Sequence, residues 1–511
     1  MSKATSRRSF LKATAIGSIG VIRSPFARAG ADAPRSSATN PAATAVPKGV
    51  RQLFLDDMLI ERTEGLKRVV NPPTRHPRNP LIRPDQPWEG GCGTYGTAYY
   101  DAVARRFKLW YLAKPAERGL RPLKMAGYER PPHTTLLAYA ESQDGVHWNK
   151  PILDQFSYDG DRRNNLIDIG QFNCEGVAIL HEPDDPDPNR HWKALFWDHG
   201  SNGWEVIDGK PRTRAGPKDG IWVAFSPDGI RWKNHDKNPV IPKYSDTDHS
   251  VVYDRRTRRY VAFGRFGFGR RLARSESEDF LTWSEPKLVL ECDARDGPAT
   301  QIYGAPVTLY EGVYLAMMWM YREGGDGKID TQLATSRDGV HWTRVGQRAT
   351  WLSLGPDDTW EGGMVRGIEN IIPRGDELYI YYGGVHGAHT GPTHKTVERK
   401  HPPMMGLAIE RRDGFVSWDA QYDSGTLVTK AIIWPEDGRL RLSGDASGGE
   451  IYVAVRDLAG QPLHGFDLSA PMTADLIDHE VVWPKARALP AGPVQLSFML
   501  RNAKLFSYWF A

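Results

Sequence analysis

The residues best suited to chemistry recur at matching points of a repeat. Acidic or polar Gly-containing segments stand at Trp88-Glu89-Gly90-Gly91, Asn173-Cys174-Glu175-Gly176, Asp246-Thr247-Asp248-His249, Gln301-Ile302-Tyr303-Gly304 and Trp360-Glu361-Gly362-Gly363. Each precedes a strand-like run. Four of the five carry an acid, at Glu89, Glu175, Asp248 and Glu361; the other carries Tyr303, with Asp296 upstream. Acids gathered from several repeats suit cleavage of a glycosidic bond. That reaction needs one carboxyl that holds its proton and a second that acts as base or nucleophile. Crowding of like charges raises one pKa and supplies the division of labour. Strand-start acids also cap turns and pair with Arg on neighbouring strands. The Trp-Glu-Gly-Gly pair at 88 and 360 fits a repeated structural opening as well as it fits two site acids.

The elements that must position these acids are set by a second pattern, S-x-D-G-x-x-W. It runs from Ser142 to Trp148, Ser226 to Trp232 and Ser336 to Trp342. A variant with Phe280 in the Gly slot runs from Ser277 to Trp283, and a looser copy with one extra residue runs from Asp413 to Trp418. Asp-Gly marks a tight turn, and a Trp just beyond it can pin the next strand. One such unit cannot bury its faces alone, so copies stack. Five units closing in a ring predict an all-β chain, a five-bladed β-propeller over 51–425. Residues 51–61 are expected to complete the last blade. The motif Asp and Trp residues are expected to be structural. From 426 to 511, short alternating segments between turn residues predict a small β-sandwich.

Several polar residues accompany the acids. Arg366 and Arg265 follow inner or central strands and can bind a carboxylate or sulfate, or pair with a funnel acid. His249 adjoins Asp248. His386, His389, His394 and His401 lie in one long loop, where His386 is placed to bond a sugar hydroxyl. With no helix to present these histidines, no metal site is assigned, and no cofactor motif is visible.

Residues 1–29 read as a targeting segment. Ser6-Arg7-Arg8-Ser9-Phe10-Leu11-Lys12 matches the twin-arginine export pattern, and Ala27-Arg28-Ala29 resembles a cleavage site. This segment holds six Lys/Arg and no acid, so the remainder carries 60 basic against 62 acidic residues, a net of −2. That balance gives no argument for nucleic acid or a membrane surface as partner. Residues 30–50, rich in Ala, Pro, Ser and Thr, read as a disordered linker. Of the three cysteines, Cys92 and Cys174 are expected to be buried hydrophobes, with a disulfide as the alternative. Seventeen Trp and twenty Tyr exceed what stapling blades requires and suit a sugar-binding surface.

With the turns, the strand-start acids and the trailing sandwich together, the chain resembles the five-bladed propeller glycoside hydrolases. It looks like a divergent protein of the family 32 and 43 type, and Glu291-Cys292 is similar to a general-acid motif of that group. The resemblance implies a carbohydrate substrate and three site acids from successive blades. On that basis Glu175 and Glu361 are the acid/base pair, Asp248 tunes or orients, and Glu89 lines the funnel. His249, Asp296, Tyr303, Arg366 and His386 are expected to contact substrate. A non-catalytic sugar-binding propeller, and a phosphorylase or lyase on the same scaffold, remain as alternatives.

Overall fold

The computed structural model describes residues 43–115, 123–125, 128–130, 135–169, 174–200, 204–213, 216, 218–390, 399–490 and 492–511. The twin-arginine segment, residues 30–42 and His394 lie outside them. The chain is β throughout; among the described residues the helical segments are three short 3₁₀ turns.

Five antiparallel sheets follow one another. The first is Gly91–Asp101, Arg106–Lys114, Leu136–Ser142 and Leu166–Ile167, and the second is Glu175–His181, Trp192–Asp198, Gly220–Ser226 and Lys233–Asn234. The third is Ser250–Asp254, Arg259–Gly264, Leu272–Ser277 and Lys287–Leu290. The fourth has Thr300–Gly304 and Val307–Tyr310 against Val313–Arg322, then Ile329–Ser336 and two short outer segments. The fifth has Met364–Gly367 and Ile372–Arg374 against Glu377–Val385, then Met404–Arg411. First strands touch in succession from the first sheet to the fourth. The fifth sheet touches both the fourth and, through Ile372–Arg374, the first strand of the first, so the ring closes as a five-bladed propeller.

The closing strand is not the expected one. Thr74–Arg75 pairs with Ala408 and Ile409 and completes the fifth blade. Residues 51–61 turn elsewhere: Gln52–Leu53 and Ile60–Glu64 join the sandwich, pairing with Ala503–Phe510 and Gly425–Thr429. The expected linker also changes, because Thr44–Ala45 pairs in parallel with Ile432–Ile433. The sandwich is two six-stranded sheets sharing one core of Leu427, Val453 and Phe498 from one face and Leu442, Leu505 and Phe510 from the other. The N-terminal and C-terminal segments therefore build it jointly, and the expected boundary at 425 falls inside it.

The Asp-Gly turns explain the blades. In each of the first four copies the motif Asp accepts the backbone N–H groups two and three residues on, and the Ser hydroxyl accepts the N–H of the fourth residue. Burial alone would raise these carboxyls. The backbone donors outweigh it and hold Asp144, Asp228, Asp279 and Asp338 below the ordinary range. The fifth copy differs. Its extra residue sends Val416–Ala420 into the sandwich sheet. Asp413 instead anchors the two parts, accepting from Arg51 Nη1 at 2.6 Å, Tyr310 Oη at 2.7 Å and Ser507 Oγ at 2.8 Å.

The fourth motif position has positive φ, +80° at Gly145 and +78° at Gly229, which glycine adopts at little cost. Space also demands glycine there, because the preceding blade reaches over the turn. Tyr381 Oη donates to Gly145 O at 2.7 Å and Trp110 Nε1 to Gly229 O at 2.7 Å. A Cβ at these glycines would lie 2.7 and 2.8 Å from those aromatic side chains. The second blade carries Leu195 at the register of Trp110, and Phe280 occupies the glycine slot it faces. Phe280 is fully buried among Phe225, Tyr260 and Trp283 despite a φ of +67°. Its burial outweighs the backbone cost, which is about 1–2 kcal/mol. Phe280→Gly is expected to lower the unfolding free energy by about 2–4 kcal/mol in denaturant melts, and Leu195→Trp in that background to recover part of the loss. A neutral Phe280→Gly would show that the ring is not needed there.

Candidate active site

Because strands alternate in direction, the starts of the first strands share a face with the loops joining second to third strands. The Asp-Gly turns lie on the opposite face. On the first face, each blade contributes to one cluster.

Tyr95 comes from the first blade and stacks on Trp319 with centroids 5.7 Å apart. Its hydroxyl lies in the field of Tyr303, Arg366, Asp246 and Arg265. Glu175 opens the second blade half-buried, and Asp246 precedes the third, also half-buried. Both acids act on the exposed phenol of Tyr244, whose pKa burial and then Asp246 push up to about 12. Tyr244 packs edge-on against Trp197, the strand partner of Glu175. Arg265 donates Nη2 to Tyr303 O at 2.6 Å and bonds Asp246 O, with its guanidinium 5.1 Å from the Tyr303 ring. The fifth blade adds Arg366, 5.7 Å from both the Tyr95 and Trp319 rings, and His389, edge-on to Tyr303 at 4.8 Å. Burial, then Arg270, Arg366, Arg399 and Arg265, lower the His389 pKa to about 4, so it is neutral near pH 7.

Asp248 lies below this surface. It is buried, and neither carboxyl oxygen meets a donor in hydrogen-bond geometry. Burial and then the nearby Glu369 raise its pKa well above the carboxylate range, against the pull of Arg366.

Glu369 had no signal in the sequence, because its partners are distant along the chain. It is buried at the axis and bonded to three blades. Oε1 accepts from Val251 N at 2.7 Å; Oε2 meets Thr97 Oγ1 at 2.9 Å and Ile179 N at 3.2 Å. Thr97 has one hydroxyl proton and also faces Val177 O at 3.0 Å. Burial pushes the Glu369 pKa up to about 8, against its three donors.

The sequence-derived candidates divide. Glu175, Asp248, Tyr303 and Arg366 come together here. Glu89 does not: it is buried in the first blade, bonded by Tyr111 Oη at 2.6 Å and Lys150 Nζ at 2.7 Å. Glu361 is its counterpart in the fifth blade, where Arg75 of the outermost strand donates to it at 2.9 Å. The Trp-Glu-Gly-Gly pair is thus a repeated structural opening. His249 spends both ring nitrogens inside the wall, on Gly176 O at 2.7 Å and Ser245 Oγ at 2.8 Å. Asp296 caps a 3₁₀ turn and pairs with Arg344 and Arg348. His386 accepts the Lys400 N–H at 3.4 Å and packs on His401, so it fixes the return of the long loop beside Arg399. Glu291 is exposed and paired with Arg271. Cys92 and Cys174 are buried in separate clusters, with no disulfide. Asp246 and His389 stood in the quoted segments but gave no spacing cue of their own.

Fold and site together define a five-bladed propeller whose funnel gathers carboxyls, arginines and aromatic faces. No family model matches the chain, and no curated protein matches it. Distant likenesses exist among solved structures. A β-1,2-mannobiose phosphorylase from Listeria innocua has TM-score 0.44 and 15% identity over 66% of this chain and 96% of its own. A fructofuranosidase from Schwanniomyces occidentalis has TM-score 0.40 and 11% identity over 84% and 96%. A putative glycoside hydrolase from Bacteroides ovatus has TM-score 0.42 and 13% identity over 67% and 96%.

The Glu369 shift has a sign. Its folded pKa, about 8, exceeds the ordinary 4.5, so its contribution is fully present below pH 4.5 and is lost as pH rises toward 8. Glu369→Gln removes that titration. The stability difference, variant minus wild type, is expected to grow from pH 5 to 8 and then level off in thermal melts. A pH-independent difference would place the proton elsewhere.

Proposed function

We propose that the chain is an exported carbohydrate-active enzyme that cleaves glycosidic bonds of a plant or algal polysaccharide or its oligomers in the propeller funnel. The observation that carries this reading is the pair Glu175 and Asp246. These half-buried carboxyls come from adjacent blades and both act on Tyr244, and Asp246 also lies in the field of Tyr95, as does Tyr303. Aromatic faces hold sugar rings, and two carboxyls supply acid and base. Glu361 is replaced in this pair by Asp246, because Arg75 neutralises it away from the cluster. Asp248, buried beneath the funnel surface, acts through its neighbours as a positioning residue. Their carboxyl separation in the bound state sets retention or inversion. The twin-arginine segment supports export.

The test is product analysis of residues 43–511 on a panel of plant and algal polysaccharides and aryl glycosides. New reducing ends are expected, falling by at least about 100-fold in Glu175→Gln and Asp246→Asn. Glu361→Gln is expected to keep turnover while losing thermal stability. Full turnover in both funnel variants would remove the chemistry from this site.

A further inference from the structure

Two arginines on this face, Arg265 and Arg366, have no carboxylate partner among the described residues. Among the described residues three arginines are buried, and they differ in how their charge is met. Arg51 is 8% exposed and paired with Asp413 at 2.6 Å. Arg265, 7% exposed, bonds only the backbone carbonyls of Asp246 and Tyr303, and its Nε has no partner. Arg366, 4% exposed, has no ion pair among the described residues, and its Nε likewise has no partner among them. It lies beside the stacked Tyr95–Trp319 pair, 5.7 Å from each ring, and the rings do not neutralise the guanidinium. Half-buried arginines elsewhere do pair: Arg75 with Glu361, Arg344 with Asp296, Arg411 with Asp475.

A buried cation without a partner costs stability. Arg265 and Arg366 are two such cations, and the half-buried Arg270 and exposed Arg399 stand with them. Arg265, Arg270, Arg366 and Arg399 all bear on His389, and Arg366 bears on Arg399. Arg270 donates to Gln301 and reaches Glu323 only at 3.5 Å. Asp248 lies in the field of Arg366 but makes no ion pair with it among the described residues. Such a cluster is costly unless a ligand completes it. Guanidinium forks match the oxygens of carboxylate, sulfate and phosphate.

Resting on the funnel as the site of action, we infer that Arg366, Arg265 and Arg399 form a subsite for an oxyanion beside Tyr303, so that the substrate is an acidic or sulfated glycan, or is cleaved with a free anion bound alongside. The aromatic rings next to the arginines let one sugar place its ring on Tyr303 and its charged group on the guanidiniums.

Isothermal titration at constant ionic strength tests this without turnover. The probes are inorganic sulfate, inorganic phosphate, tetragalacturonate and neutral galactotetraose. The variants are Arg399→Gln, whose side chain is exposed, and Arg366→Met, which keeps the packing; Arg231→Ala on the opposite face is the control. At least one anionic probe is expected to bind tenfold or more tighter than galactotetraose. That advantage is lost in Arg399→Gln and Arg366→Met and kept in Arg231→Ala. Should Arg366→Met fail to fold, Arg399→Gln decides. Binding of the small ions alone identifies a free anion as the source, and binding of tetragalacturonate alone identifies a charge on the glycan; both support the subsite. Equal affinity for neutral and anionic probes, or anion binding untouched by Arg399→Gln, overturns it. Anion binding without cleavage of any glycan would leave this subsite standing and sink the hydrolase reading instead.

Discussion

One buried carboxyl holds the centre of this molecule. Glu369 leaves the fifth blade and bonds the backbone or hydroxyl groups of the first, second and third. Taking a carboxyl out of water is costly, and three donors together with a retained proton offset that cost. The same group acts on Asp248, raising its pKa further. Closure of the ring and the protonation state beneath the site thus share one side chain. This hub ties the first strands of three blades together, further along those strands than the funnel residues.

The two faces of the propeller divide the labour. Turns with bonded aspartates occupy one face, where repeated chemistry gives repeated structure. Loops of unequal length occupy the other, and there the blades differ: Glu175, Asp246, Tyr303 and Arg366 come from four blades and are four residue types. A second anchor, Asp413, serves the sandwich. Its three donors come from the chain entry, the fourth blade and the final strand. They bind the ends of the chain to the propeller's structural face and leave the funnel face open.

The blades were legible in the sequence because their signal is local. An Asp-Gly turn and its Trp are specified within seven residues, and even Phe280 is explained by the size of Leu195 one blade earlier. What spans the chain was not legible. The strand that closes the fifth blade is two residues long, Thr74–Arg75, too short to carry a periodic signal. Glu89 and Glu361 carry a pattern identical to that of site acids, and only their partners, Lys150 and Arg75, show that they are structural. Glu369 sits in Gly367-Ile368-Glu369-Asn370, an ordinary loop sequence, and its role exists only once three other blades surround it. Position along a strand could be inferred; the charge environment at that position could not.

The most direct measurement is a crystal structure of the Asp246→Asn protein with a bound oligosaccharide from the substrate panel. The account predicts a sugar ring against Tyr303 and Tyr95, its scissile oxygen within hydrogen-bond reach of Glu175 or position 246, and the Arg366 guanidinium facing the ligand. A sugar bound on the Asp-Gly face or on the sandwich, with the funnel unliganded, would contradict it.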